Sequence, residues 1–192
     1  MLGIEAHAVS VRHGIADFIA YGHLMAGTAI AARGDVLRGL ALAREGLVAL
    51  DRVGWQSVMP MVLARLALVL CASGDKVAAT EMATEALRMA RANSELIWEA
   101  EAMRVLGEVR LAAGTAGAAE VEAEWRKALE VARRQEAKSF ELRVAMSLAR
   151  LWAEQGKRAQ AHDLLAPVYD WFTEGFDTPD LKEAKALLDE LR

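Results

Sequence analysis

The sequence predicts an all-α fold: a right-handed superhelix of about four antiparallel helix hairpins with long helices, entered through the end of a truncated repeat and closed by a C-terminal capping helix. Three observations predict it. Gly34, Gly74, Gly114 and Gly156 recur at intervals of 40, 40 and 42 residues, the mark of one supersecondary unit repeated along the chain. The segments between them carry apolar residues at spacings of three and four and show no strict alternation. Composition agrees, since 54% of the 192 residues are hydrophobic but only 6% are aromatic, with three prolines.

Ser57 to Ala92 sets the pattern for the rest. Ser57 is expected to cap the first helix through its hydroxyl, with Pro60 in the first turn, where a missing N–H is harmless. From Val58 to Ala72 the only charge is Arg65. A helix apolar nearly all round needs cover from more than its own hairpin partner, so neighbours must stack on it. It is also shorter than the ~20 residues that cross a bilayer. Ser73-Gly74-Asp75 closes it, with Gly in the left-handed position and Asp capping the next helix. That second helix, Lys76 to Arg91, sets Ala79, Ala83, Ala86, Leu87 and Ala90 apart from Glu81, Glu85, Arg88 and Arg91.

The remaining elements are placed by counting. Residues 1–13 read as the last turns of a second helix whose partner is absent, because Ala6 lies 40 residues before Gly46. The chain is therefore expected to begin inside a repeat, as a piece of a longer polypeptide. The hairpins are expected at 16–51 (Ala16 to Ala32 with Val36 to Asp51), 57–92, 95–136 (Glu95 to Ala112 with Ala118 to Glu136) and 140–173 (Phe140 to Gln155 with Arg158 to Phe172). Thr178-Pro179-Asp180 opens a capping helix over 178–191, with Thr as N-cap and Leu181, Ala184, Leu187, Leu188 and Leu191 as its apolar stripe. The whole, 1–192, is expected to be a single α-solenoid domain.

Small residues recur with the turns. Gly27, Ala67, Gly107 and Ala149 precede the turn glycines by seven residues, and Gly46, Ala86, Ala128 and Val168 come after them. This spacing resembles the tetratricopeptide repeat, whose eighth, twentieth and twenty-seventh places are small. Those places fall on Gly27, Gly39 and Gly46, on Ala67, Ala79 and Ala86, and on Ala149 and Ala161 with Val168. The third unit keeps Gly107 and Ala128 around an insertion, Thr115-Ala116-Gly117. The period of about 40 exceeds the usual ~34 of that repeat, so long helices are expected.

A second resemblance covers roughly the last 70 residues. Trp125-Arg126-Lys127-Ala128-Leu129-Glu130-Val131-Ala132-Arg133-Arg134-Gln135, Ser147-Leu148-Ala149-Arg150-Leu151, Leu164-Leu165-Ala166-Pro167-Val168-Tyr169 and Gly175-Phe176-Asp177-Thr178-Pro179-Asp180-Leu181 are similar to the C-terminal repeats of bacterial multidomain signalling proteins. In those proteins a nucleotide cyclase or winged-helix regulator is followed by an AAA-like ATPase and then by repeats. The resemblance implies a sensor or scaffold arm of a signalling or transcription-regulating protein, with the chemistry elsewhere in the parent.

The chain itself offers little chemistry. It has no Gly-rich phosphate loop ending in Lys-Ser or Lys-Thr, and Gly114-Thr115-Ala116-Gly117 reads as a hairpin loop. His7, His13, His23 and His162 form no i, i+4 pair, so no metal site is expected. Cys71 reads as a buried, inert thiol. Glu120, Glu122 and Glu124 read as ordinary helix electrostatics, with Glu122 to Arg126 and Glu130 to Arg134 as i, i+4 pairs. No enzyme activity and no cofactor are expected. A net charge of −4 opposes direct nucleic-acid binding. One cysteine and the lack of a signal peptide pattern at Met1 to Ser10 fit a cytoplasmic protein that does not enter a membrane.

Function is therefore expected on a surface. Counting along the first helix of each hairpin places Tyr21, Arg65, Glu101, Arg104, Glu108, Arg143, Met146, Ser147 and Arg150 on the concave face. Four arginines there suit carboxylate or backbone recognition through their planar forks; the competing reading is that Arg104 and Arg143 only pair with Glu101 and Glu108. Phe18, Trp98 and Phe140 are expected to pack between repeats. The expected partner is a protein or peptide, or another domain of the parent chain. The alternative is a structural arm that self-associates, as a homodimer, through its broken first repeat.

Overall fold

A computed structural model of the chain describes residues 9–52, 54, 56–92 and 96–192. Most of the truncated repeat expected at residues 1–13, with Ala6 and His7, lies outside the described residues, as does the expected helix start at Glu95. Residues 9–13 are helical. After them come α1 (Ala16–Ala32), α2 (Val36–Arg52), α3 (Met59–Ala72), α4 (Lys76–Ala92), α5 (Glu99–Ala113), α6 (Ala118–Arg134), α7 (Lys138–Glu154), α8 (Arg158–Asp170) and α9 (Pro179–Leu191), with no strand among the described residues. Helices pair as consecutive hairpins, α1 with α2, α3 with α4, α5 with α6 and α7 with α8, while α9 packs on α7 and α8. The chain forms two compact units, Met1–Glu95 and Leu96–Arg192.

The turn glycines all have positive φ: 100° at Gly34, 90° at Gly74, 71° at Gly114 and 78° at Gly156. At Gly74 the reversal is closed by Asp75, whose N–H donates to the Leu70 carbonyl at 3.1 Å and whose Oδ1 accepts from the Ala78 N–H at 3.1 Å. One residue thus ends α3 and caps α4.

In the first unit the small residues do what the repeat spacing requires. A Cβ on Gly27 would lie 2.5 Å from the Ala43 nitrogen, one on Gly39 would lie 2.5 Å from the Gly27 oxygen, and one on Gly46 would lie 2.6 Å from the Leu24 nitrogen. Here α1 and α2 meet main chain to main chain, a closeness only glycine permits. In the second hairpin Ala67, Ala79, Ala83, Ala86 and Ala90 are fully buried in the corresponding seam. Around them α3 buries Met59, Pro60, Val62, Leu63, Ala64, Leu66, Val69 and Leu70, as its nearly all-round apolarity demands.

Three local expectations are corrected. Ser57 is not at the N-cap of α3: a 3₁₀ turn over Gln56–Val58 leads into the helix, and Val58 takes the cap position. Thr178 does sit at the N-cap of α9 with Pro179 after it, but its hydroxyl makes no cap hydrogen bond. Cys71 is half-buried rather than buried, because it falls on the edge of α3 near its last turn.

In the second unit Trp125 of α6 fills the seam with α5. Its indole N–H donates to the Arg104 carbonyl at 2.9 Å, and a Cβ on Gly107 would meet the indole nitrogen at 2.5 Å. Gly107 is thus small to admit an aromatic ring rather than a backbone. Leu142, Val144, Ala145, Leu148 and Ala149 bury α7 on several sides, and Trp98 and Phe140 pack ring to ring at 5.9 Å. Phe18, expected in a similar role in the first unit, is 50% exposed. The helix α9 buries Leu181, Ala184, Leu187, Leu188 and Leu191 and keeps Lys182, Glu183, Lys185, Asp189 and Glu190 in water.

Candidate functional site

In the second unit the site is built by the first helices of its hairpins, α5 and α7, with α9 beside α7. A first row joins Glu101, Arg143 and Asp180: Arg143 lies 3.5 Å from Glu101 and 2.8 Å from Asp180. Its guanidinium also lies over the Phe140 ring at 5.8 Å. A second set links Arg104 to Glu101 at 2.8 and 2.9 Å and to Glu108 at 2.5 Å, and Arg150 to Glu183 at 2.6 Å.

Arg104 is only 9% exposed. Burial opposes its charge, but the adjacent carboxylates of Glu101 and Glu108 more than offset that, so its pKa is raised above the ordinary guanidinium value. A buried guanidinium held by two carboxylates is a fixed part of the structure and would be costly to unpair.

Of the candidate residues, Glu101, Arg104, Glu108, Arg143, Ser147 and Arg150 are brought together. Met146 is not, being 3% exposed, and it packs inward. Arg104, Arg143 and Arg150 do not stand free for an anion, and the pairing of Arg104 and Arg143 with neighbouring acids describes their geometry. Counting along single helices could not show that Arg143 and Arg150 meet Asp180 and Glu183, because those partners come from α9, more than 30 residues away. With Glu154, which has no ion pair among the described residues, the face sets five carboxylates (Glu101, Glu108, Glu154, Asp180, Glu183) against three guanidiniums.

Into this face opens a cavity of about 200 Å³ lined by Glu108, Leu111, Trp125, Ser147, Arg150, Leu151 and Glu154. Trp125, Leu151 and Ser147 are buried, Glu108 and Glu154 exposed. The signal for Glu154 and Leu111 was their place in the helical count; nothing in the sequence marked Trp125 of α6, which reaches the cavity across the hairpin.

The first unit is separate. Arg65 supplies the one charge among the lining residues of an otherwise mainly apolar cavity of about 270 Å³ formed with Thr28, Ala31, Leu68, Val69 and Ala72. Tyr21 is half-buried on α1.

Away from these faces, Arg110 bonds Glu124 and Glu120 at 2.6 Å each, tying α5 to α6. The acidic start of α6 thus serves the hairpin as well as its own helix, where Glu122 and Arg126 pair at 2.7 Å. No cluster of three metal-ligating side chains occurs among the described residues, and no described helix is long and apolar enough to cross a membrane.

No family model and no curated protein matches the sequence. Solved structures do. BtubC (BKLC) from P. vanneervenii is 16% identical, with a TM-score of 0.68 over 98% of this chain and 85% of that one. A Podosopora anserina kinesin light chain-type protein with nearly identical TPR-like repeats is 14% identical, with a TM-score of 0.61 over 89% of this chain and 84% of that one. The apo form of RapI is 12% identical, with a TM-score of 0.62 over 92% of this chain and 48% of that one. These matches, together with the hairpins and their small-residue seams, establish an all-helical fold of the tetratricopeptide-like repeat type.

Proposed function

We propose that this chain is a non-catalytic protein- or peptide-binding repeat module, the sensor or scaffold arm of a larger bacterial signalling or transcription-regulating protein of the cytoplasm. The observation that carries the reading is the surface shared by α5, α7 and α9, where ionic side chains surround an open cavity with a partly apolar lining. Aligned charges over an apolar floor give an extended partner both register and area. The fold supports it, since repeat stacks present such surfaces along their first helices. The test is selection of a random displayed peptide library against the full chain, followed by amide chemical-shift mapping of the recovered peptides. Enriched peptides that shift residues of α5 and α7 are expected; failure to enrich any peptide, or shifts confined to α6 and α8, would overturn the reading.

A structural arm is the second reading. It is favoured by exposed apolar residues near the start of the described chain, with Val9, Val11 and Ile15 at 50%, 55% and 43% exposure. Light scattering separates the two, because this arm should dimerise as concentration rises and a strict monomer should not.

A further inference from the structure

The cavity of the second unit has a chemistry of its own. Its buried lining holds Trp125 and Leu151, which suit a run of methylenes. Its wall holds Ser147, 6% exposed, whose hydroxyl has no hydrogen-bond partner among the described residues. A hydroxyl on the cavity wall can donate to or accept from a ligand that enters. Glu108 and Glu154 stand exposed around it; Glu108 is held by Arg104 at 2.5 Å, whereas Glu154 has no ion pair among the described residues. The one lining guanidinium, Arg150, is already committed to Glu183 at 2.6 Å. The charge left unpaired among the lining residues is therefore the Glu154 carboxylate, which would repel an anionic ligand and pair with a cationic one. The volume of about 200 Å³ is several times the ~30 Å³ share of a water molecule, so a whole side chain can enter.

We propose that this cavity receives the lysine or arginine side chain of a partner peptide, its stem against Trp125 and Leu151 and its head between Ser147 Oγ and Glu154. The proposal rests on the binding-module reading and gives it a partner class, a segment with a basic anchor residue. It reverses the preference that the arginine count suggests, because Arg104, Arg143 and Arg150 are each paired with acids of the same unit.

The experiment takes peptides recovered from the displayed library against the full chain and measures their Kd by fluorescence anisotropy. Three comparisons are made: the anchor residue replaced by norleucine, the chain carrying Glu154→Gln, and added salt. A basic residue at one fixed position is expected, with norleucine and Glu154→Gln each weakening binding about tenfold, or ~1.4 kcal/mol, and with affinity falling as salt rises. Glu154 is exposed, so its substitution leaves the fold intact. Peptides that bind through a fixed acidic or apolar residue, or whose affinity ignores both norleucine and Glu154→Gln, overturn the cationic anchor while the binding module stands. Recovery of no peptide overturns both.

Discussion

Gly27 shows how much a single residue can carry here. Replacing it by alanine inside α1 should gain helix propensity worth ~1 kcal/mol. The added methyl would, however, lie 2.5 Å from the Ala43 nitrogen, a main-chain atom that cannot step aside without moving α2. Overpacking of that kind costs ~1–3 kcal/mol, so Gly27→Ala is expected to lower thermal stability, and a rise in Tm would contradict the close approach. Glu141 is a second such residue, 4% exposed and bonded by Lys138 Nζ at 2.7 Å and Arg133 Nε at 2.9 Å. Burial alone would raise its carboxyl pKa, but the two cations reverse this and hold it below the ordinary carboxylate value. Its stabilisation is therefore present above the unfolded value of ~4.3 and is lost as pH falls through the lower folded value. Glu141→Gln should cost ~1–3 kcal/mol near neutral pH, with the gap to wild type closing on acidification in denaturant titrations. A gap independent of pH would rule this out. The small-residue positions were legible in the sequence because repeat spacing marks them four times over. The partners of Arg143 and Arg150 were not, since ion pairing depends on which helix arrives alongside and single-helix counting holds no term for that.

At the scale of elements, α9 is the piece on which the second unit depends. It covers α7 and α8 with four leucines and supplies Asp180 and Glu183 to the arginines of α7. Ending the chain after Asp177 should expose that apolar surface and leave Arg143 and Arg150 without these partners. We expect a lower Tm and concentration-dependent scattering; an unchanged melting curve would show that α9 is dispensable. The helix α1 starts and ends where glycine and apolar spacing place it, whereas α6 and α8 each stop two residues before the expected end and α7 starts two residues early. Two further differences fall at helix starts. A 3₁₀ turn precedes α3, and another over Leu96–Trp98 precedes α5, where the sequence suggests regular helix. Such turns are set by how the preceding chain packs, which local cap residues do not encode.

At the scale of the whole molecule, the second unit has its own core in Val105, Val109, Val121, Leu142, Val144, Leu148 and Leu165, all at most 1% exposed. A fragment of residues 96–192 is therefore expected to fold alone with a cooperative thermal transition monitored by circular dichroism. A featureless melt would show that this core does not suffice to fold the fragment. The fold class was legible at this scale because the glycine period survives even where the side chains around it diverge. The pairing on the candidate face was not, because a count of arginines says nothing of which acids Arg104, Arg143 and Arg150 meet.

The touching main chains of α1 and α2 bear on how such arrays can be rebuilt. Gly27, Gly39 and Gly46 let α1 and α2 meet main chain to main chain, whereas α3 and α4 bury alanine methyls in theirs. Exchange of complete hairpins between positions preserves each matched seam; grafting one helix alone sets a methyl against a backbone or opens a gap, so the pair is the smallest transferable part.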